Sequence, residues 1–178
     1  KTDIANGIGV RVSLFVSGCT HHCKNCFNEV TWDFHYGHFF DEKAQQEIIE
    51  ALKPEYIRGL TLLGGEPMEP SNQRALLPFI KKIKEIYPQK DIWCYSGYLF
   101  DQELLHESRA RCEVTNELLS YIDIIVDGRF VEELKDVTLR FKGSSNQRII
   151  LVKESLEQGK IVLSSLNEPR KKNESGHD

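Results

Sequence analysis

The chain has 178 residues, enough for one domain with a buried core, and its 40% hydrophobic and 28% charged composition is typical of a soluble globular protein. The formal net charge of −4 argues against nucleic acid as a partner, because polyphosphates favour a basic surface. No apolar run approaches the roughly 20 residues that span a bilayer, and no signal peptide is recognisable. We therefore expect a cytoplasmic protein with no membrane partner.

Strands and helices are predicted to alternate along the chain. The β-branched and aromatic residues 11–16 predict a strand. Residues 20–40 lack a regular period and predict a long loop, after which Asp41 can cap a helix that runs to about residue 53. By the same reasoning, further strands are predicted at 57–63, 91–95, 122–126 and 148–152, and further helices at 72–87, 100–110 and 116–120.

This alternation favours βαβ units and hence a mainly parallel sheet. The chain is too short for eight such units, which need about 250 residues. The predicted fold class is therefore α/β, with a partial, open βα barrel. We predict one domain over residues 1–163 and a polar C-terminal tail over 164–178.

Polar turn residues follow four of the predicted strands. They are Gly18 with the cysteines, Gly64-Gly65-Glu66, Ser96-Gly97 and Asp127-Gly128. Because the carboxyl ends of parallel strands lie at one rim of an α/β fold, where sites are built, we expect the four groups to form one site.

The five cysteines are unevenly spaced. Cys19, Cys23 and Cys26 form a C-x3-C-x2-C run, whereas Cys94 and Cys112 stand alone. An odd number and such crowding are poor material for a disulfide framework. Clustered thiolates favour a soft metal or an iron–sulfur cluster.

The run by itself is compatible with three kinds of site. His21 or His22 would complete a structural zinc site, and Cys94 or Cys112 would complete an electron-transfer cluster. Alternatively, one iron of a 4Fe–4S cluster has no protein ligand and is open to a substrate. An open coordination position is the feature that separates a reactive metal site from a structural one.

The cysteine run at the end of the first strand, followed by Gly64-Gly65-Glu66-Pro67 at the end of another, resembles the radical S-adenosylmethionine superfamily. The resemblance implies that Cys19, Cys23 and Cys26 hold a 4Fe–4S cluster. It also implies that the methionine part of S-adenosylmethionine chelates the fourth iron, and that Gly64, Gly65 and Glu66 contact this cofactor.

Several segments are similar, in order and spacing, to the family of anaerobic ribonucleotide reductase activating proteins. They are DIANGIGVR at 3–11, LFVSGC at 14–19, CFN at 26–28, TW at 31–32, DIWCYSGY at 91–98, IVDGRF at 125–130 and FKGSSNQ at 141–147. Many superfamily members have an aromatic residue just before the third cysteine, near the adenine. Here Asn25 has that position and the aromatic residue follows as Phe27.

The resemblance assigns further cofactor contacts at the later strand ends. Ser96 and Gly97 would lie near the methionine or the ribose, and Asp127 and Arg129 would form an acid–base pair near the ribose and the carboxylate. Asn146 and Gln147 have two interpretations: they contact the adenine or the partner, or their amides cap a loop.

The activity implied is reductive cleavage of S-adenosylmethionine, followed by generation of a glycyl radical in the large subunit of an anaerobic ribonucleotide reductase. A low-potential electron donor is required, and no side chain acts as a catalytic acid or base because the radical comes from the cofactor. The alternatives are an activase of another glycyl-radical enzyme, such as pyruvate formate-lyase, and a non-catalytic iron–sulfur or zinc-binding module.

Overall fold

Six strands form one sheet in the computed structural model, which describes residues 2–3, 7–17 and 41–168. The strands are β1 (Thr2–Asp3), β2 (Val10–Val16), β3 (Ile57–Gly64), β4 (Asp91–Ser96), β5 (Ile124–Asp127) and β6 (Arg148–Leu151). The helices are α1 (Glu42–Ala51), α2 (Pro70–Ile86), α3 (Thr115–Tyr121) and α4 (Val152–Gln158). The α/β class predicted from the sequence is confirmed.

The sheet is mixed but mostly parallel. Its strands lie in chain order, and β2, β3, β4 and β5 pair in parallel. The outer strands β1 and β6 pair antiparallel with their neighbours and form the two edges of an open sheet. The direction of β6 follows from its connection, since a parallel strand needs a crossover, usually a helix. Residues 128–147, which connect β5 to β6, contain no α-helix, only a short 3-10 turn at Glu132–Leu134 and an isolated bridge between Lys135 and Ser144.

Two predicted helices differ from the structure. Helix α2 begins at Pro70, two residues before the predicted start, because proline suits the first turn of a helix. The helix predicted over 100–110 is limited to one π-helical turn at Phe100–Leu104. Beyond it the Ser108 hydroxyl donates to the Glu103 carbonyl and accepts from the Ala110 amide, which competes with helical hydrogen bonding.

Alternate side chains of the central strands face opposite sides of the sheet. Val12, Leu60 and Ile125 are buried in the main core with the helices. The residues of α2 that fill this core are Leu76, Leu77, Phe79, Ile80 and Ile83. On the other side Trp93 packs edge-on against Phe141, with ring centroids 5.3 Å apart.

A buried cation stabilises the end of the sheet where the parallel strands begin. Arg11 is fully buried, forms an ion pair with Asp91 and donates to the Thr61 hydroxyl at 2.9 Å. Its guanidinium also lies over the Trp93 ring, 5.5 Å from the centroid. Because Thr61 belongs to the adjacent strand β3, and Asp91 and Trp93 to the next strand β4, Arg11 links β2, β3 and β4 near the end of the sheet where those strands begin.

The first residues of the predicted polar tail pack against β6. Leu163 forms an antiparallel bridge with Ile150, and the Ser164 amide donates to the Ile149 carbonyl at 2.9 Å. The Asn167 side-chain nitrogen donates to the carbonyls of Ile149 and Ser164, both at 2.8 Å. Leu163 and Ser164 therefore cover the outer side of β6, a 3-10 turn follows at Ser165–Asn167, and the division at residue 163 stays a prediction.

Over the ranges that the structure describes, no helix combines the length and the apolar character needed to cross a membrane.

The carboxylate of Asp123 predicts how stability responds to acid. It accepts hydrogen bonds from the Ile92 amide, from Lys84 at 3.2 Å and from Lys153 at 2.9 Å. Burial raises the pKa of Asp123, but these hydrogen bonds and the two lysine charges outweigh it and bring the pKa below its ordinary value of 3.8. The unfolded chain thus binds more protons, so this contribution is complete above the ordinary pKa and is lost as pH falls through the folded value.

We expect Asp123→Asn to lower the free energy of unfolding at pH 7 by about 1–3 kcal/mol and to reduce the further loss of stability between pH 5 and pH 2. Urea denaturation at a series of pH values measures both effects, and Glu85→Gln on the exposed face of α2 is the control. An acid response equal to that of the native chain would contradict the role of Asp123.

Candidate functional site

The carboxyl ends of β2, β3, β4 and β5 lie along one edge of the sheet because these strands are parallel. Val16 pairs with Gly64 at the ends of β2 and β3, and Ser96 pairs with Asp127 at the ends of β4 and β5. Three of the four predicted groups are therefore brought together. Cys19, Cys23, Cys26, Asn25 and Phe27 lie outside the described residues.

Glu66 joins the end of β3 to the end of β4. Its side chain is fully buried, and one carboxylate oxygen accepts from the Met68 amide and the Ser96 hydroxyl, both at 2.8 Å. The other oxygen accepts from the Gly97 amide at 2.6 Å. The Glu66 carboxylate, predicted to contact the cofactor, is thus bound by groups of the protein itself. Glu66 positions the backbone of both strand ends.

The two glycines before Glu66 allow β3 to approach β2 closely. Gly64 has φ +112°, and a Cβ at this position would lie 2.6 Å from the Val16 carbonyl oxygen. The Gly65 amide donates to the same oxygen at 2.8 Å. The absence of a side chain at Gly64 therefore permits a close approach to the backbone of the neighbouring strand.

Asn72, in the first turn of α2, completes this group and was missed by sequence reasoning. Its side-chain nitrogen donates to the carbonyls of Ser17 and Glu66, both at 2.8 Å. Ser17 is two residues before Cys19. An asparagine near a helix start has no distinctive sequence signal, because the same residue type serves many local caps.

Asp127 and Arg129 were predicted to pair with each other, but each forms its ion pair with a different residue. Asp127 is fully buried and is bound by Arg148, at 2.6 Å for the shortest contact, and by the Phe100 amide at 2.7 Å. Arg129 instead forms a bidentate ion pair with Glu103, at 3.1 and 3.2 Å. The predicted pair is therefore replaced by two pairs, because β6 runs antiparallel and brings Arg148 opposite Asp127.

The sequence pattern predicts Arg148 only as part of a strand, whereas the structure places it in the candidate site. It also bridges to Asp101 at 2.9 Å. Hydrogen bonding to Asp127 raises the pKa of Arg148 against the effect of burial, and the Arg148 hydrogen bond brings the pKa of Asp101 below its ordinary value of 3.8. The Asp127 carboxylate is therefore neutralised within the protein, whereas the Arg129 guanidinium is 40% exposed at the rim.

The amides of Asn146 and Gln147 cap the loop after β5. Asn146 donates to the Arg129 carbonyl at 2.8 Å, and Gln147 donates to the Gly128 carbonyl at 2.9 Å. The side-chain oxygen of Gln147 accepts from the Gly143 amide at 2.8 Å. Of the two interpretations of these residues, loop capping is the one that the contacts support.

The two cysteines outside the run lie on the helix side of the sheet. Cys94 is fully buried in the main core, and burial raises the pKa of its thiol well above 9.0. Cys112 is half-buried beside the side chains of Gln73 and Thr115. The residues that the structure describes contain no group of three or more histidine, cysteine or acidic side chains arranged to hold a metal ion.

Comparison with known proteins decides the family. A family described as "4Fe-4S single cluster domain" matches residues 5–150. A protein of Haemophilus influenzae is 47% identical over 150 residues, which cover 83% of this chain and 92% of the relative. Relatives from Vibrio cholerae and Escherichia coli K12 are 43% and 39% identical, over 83% and 82% of this chain and 91% and 90% of their own lengths. All three carry the name "Anaerobic ribonucleoside-triphosphate reductase-activating protein".

The chain belongs to the family of anaerobic ribonucleoside-triphosphate reductase-activating proteins. The resemblance seen in the sequence segments is confirmed. The matched region, residues 5–150, includes the cysteine run and the carboxyl ends of β2, β3, β4 and β5.

The contacts of Glu66 predict that it stabilises the folded chain. In Glu66→Gln an amide replaces one carboxylate oxygen, and its NH2 group then faces a backbone N–H donor that has lost its acceptor. We expect a loss of about 1–3 kcal/mol in the free energy of unfolding, measured by urea denaturation. Glu85→Gln, exposed on α2, should change stability by less than about 0.5 kcal/mol. Equal effects of the two substitutions would contradict the role of Glu66.

The two arginines of the rim should differ in their effect on stability. Arg148→Met leaves a buried Asp127 carboxylate without its cation, and we expect a loss of about 2–4 kcal/mol, reduced from that of a fully buried pair because Arg148 is 28% exposed. Arg129→Met removes a partly exposed pair and should cost less than about 1 kcal/mol. Denaturation midpoints of the two variants measure this contrast, and similar losses would show that the assignment is wrong.

Proposed function

We propose that this protein activates an anaerobic ribonucleotide reductase by cleaving S-adenosylmethionine reductively and generating a glycyl radical in the large reductase subunit. The observation that carries the proposal is the placement of Ser17, whose carbonyl is held next to the Gly64–Glu66 turn two residues before the first cysteine. The names of the relatives and the 4Fe–4S family match support the same function.

The donor set fits a 4Fe–4S cluster with three protein ligands, Cys19, Cys23 and Cys26. Thiolates are soft ligands that select iron–sulfur clusters. A fourth thiolate from Cys94 is disfavoured, because this residue is buried among apolar side chains that keep it protonated. Three ligands leave one iron open to a substrate, as the radical S-adenosylmethionine superfamily requires.

The rim fits the cofactor through its backbone and through one arginine. The strand ends at Gly64–Gly65 and Ser96–Gly97 are held rigidly by Glu66, so their backbone groups are preorganised. Arg129, oriented by Glu103, is exposed enough to bind the carboxylate or the ribose of S-adenosylmethionine. Asn25 and Phe27 are proposed to lie near the adenine. The open, mostly parallel sheet suits a partial barrel of the radical S-adenosylmethionine type.

When bound and reduced, the cluster supplies one electron that breaks the S–C5′ bond of S-adenosylmethionine, giving methionine and a 5′-deoxyadenosyl radical that takes a hydrogen atom from the Cα of a glycine in the reductase. A low-potential donor must provide the electron. The residues of this chain bind and orient the reactants and exclude water. No side chain is proposed to transfer a proton.

The deciding experiment is anaerobic reconstitution with iron and sulfide, reduction with dithionite, and addition of S-adenosylmethionine. We expect 5′-deoxyadenosine by chromatography and, after addition of the large reductase subunit, a glycyl radical signal in electron paramagnetic resonance. Cys23→Ala should abolish both because it removes a cluster ligand. Cys94→Ala and Cys112→Ala are the controls and should retain the iron content of the native protein.

Each alternative function predicts a different result. A brown protein that forms no 5′-deoxyadenosine and loses iron in Cys94→Ala or Cys112→Ala would be an electron-transfer protein. A colourless protein that binds zinc would be a structural module. A protein that forms 5′-deoxyadenosine but produces the radical only on pyruvate formate-lyase would have a different partner from the one proposed.

A further inference from the structure

One side-chain amide of α2 joins the two strand ends that flank the proposed cluster site. The two hydrogens of the Asn72 nitrogen bind two different carbonyls, Ser17 at the end of β2 and Glu66 at the end of β3, each at 2.8 Å. The helix that carries Asn72 is anchored by buried side chains, including Leu76 and Ile80. The Asn72 side chain is therefore attached to a rigid helix.

The two carbonyls lie just beyond the region where the strands pair. The last paired residues of β2 and β3 are Val16 and Gly64, and the Gly65 amide adds one more hydrogen bond to the Val16 carbonyl. Past this point the backbones would be free to separate. Asn72 extends the link between the two strands by one more step, and it does so through a side chain rather than through the sheet.

We propose that Asn72 is a positioning residue that fixes the cysteine-bearing segment against the Gly64–Glu66 turn, an inference that rests on the proposed function. Ser17 precedes Cys19 by two residues, and two residues of chain span at most about 7 Å. The position of Ser17 therefore limits where the first cluster ligand can lie. Asn72 needs no contact with the cluster or with S-adenosylmethionine to have this effect.

The chain contains a matched control for this test. Asn167 also donates from one side-chain nitrogen to two carbonyls, those of Ile149 and Ser164, and again both distances are 2.8 Å. It lies beside β6, three strands away from the pair formed by β2 and β3. Replacing either asparagine by aspartate exchanges a double donor for an oxygen that faces two carbonyls, so the chemical change is the same at both sites.

The test compares iron release from the reconstituted native protein with that from Asn72→Asp, Asn72→Ala and Asn167→Asp. A ferrous chelator is added anaerobically without S-adenosylmethionine, and urea denaturation of each cluster-free protein reports general stability. We expect both Asn72 variants to release iron about tenfold faster than the native protein, the effect of losing roughly two hydrogen bonds. Asn167→Asp should release iron at the native rate despite its loss of stability.

The outcomes separate this inference from the proposed function. Native iron-release rates in both Asn72 variants would overturn the inference and leave the function intact. Faster release in Asn167→Asp equal to that in the Asn72 variants would also overturn it, because the effect would then be general destabilisation. A native protein that takes up no iron would overturn the proposed function and the inference together.

Discussion

A buried carboxylate must find hydrogen-bond donors, and this requirement organises the candidate site. An ionised carboxylate without partners in an apolar interior is far too costly to keep. Glu66 meets the requirement with donors from its own turn and from the end of the next strand. Because those donors are mostly backbone amides, their positions fix the path of the main chain. The turn residues are therefore held in place by the need to satisfy one charge.

The same principle explains why the other charges of the rim are sorted into pairs. Asp127 is matched with Arg148 and Arg129 with Glu103, and at the opposite edge Arg11 is matched with Asp91. The fully buried members of these pairs, Asp127 and Arg11, are each balanced by an oppositely charged side chain. Of the side chains in the two rim pairs, Arg129 is the most exposed, at 40%, whereas Asp127 is fully buried.

Sequence reasoning succeeded where the signal was local. Each of the strands β2 to β5 is predicted by β-branched residues that end at a polar turn. The parallel order of these strands then places Gly64–Glu66, Ser96 and Asp127 at one edge. It failed where a contact depends on register or on a distant element. Arg148 meets Asp127 only because β6 returns antiparallel, and Asn72 meets Ser17 across 55 positions of sequence. No periodicity or turn signal in a single sequence encodes such pairings.

The residues that follow β6 determine whether another chain can add a strand to this side of the sheet. An open sheet presents unpaired backbone groups at its edge, which invite strand addition from another chain. Here Leu163 and Ser164 occupy the outer side of β6, and Asn167 fastens them through its amide. The outer side of β6 is therefore covered by residues of the same chain. Another chain could add a strand at this edge only by displacing these residues first.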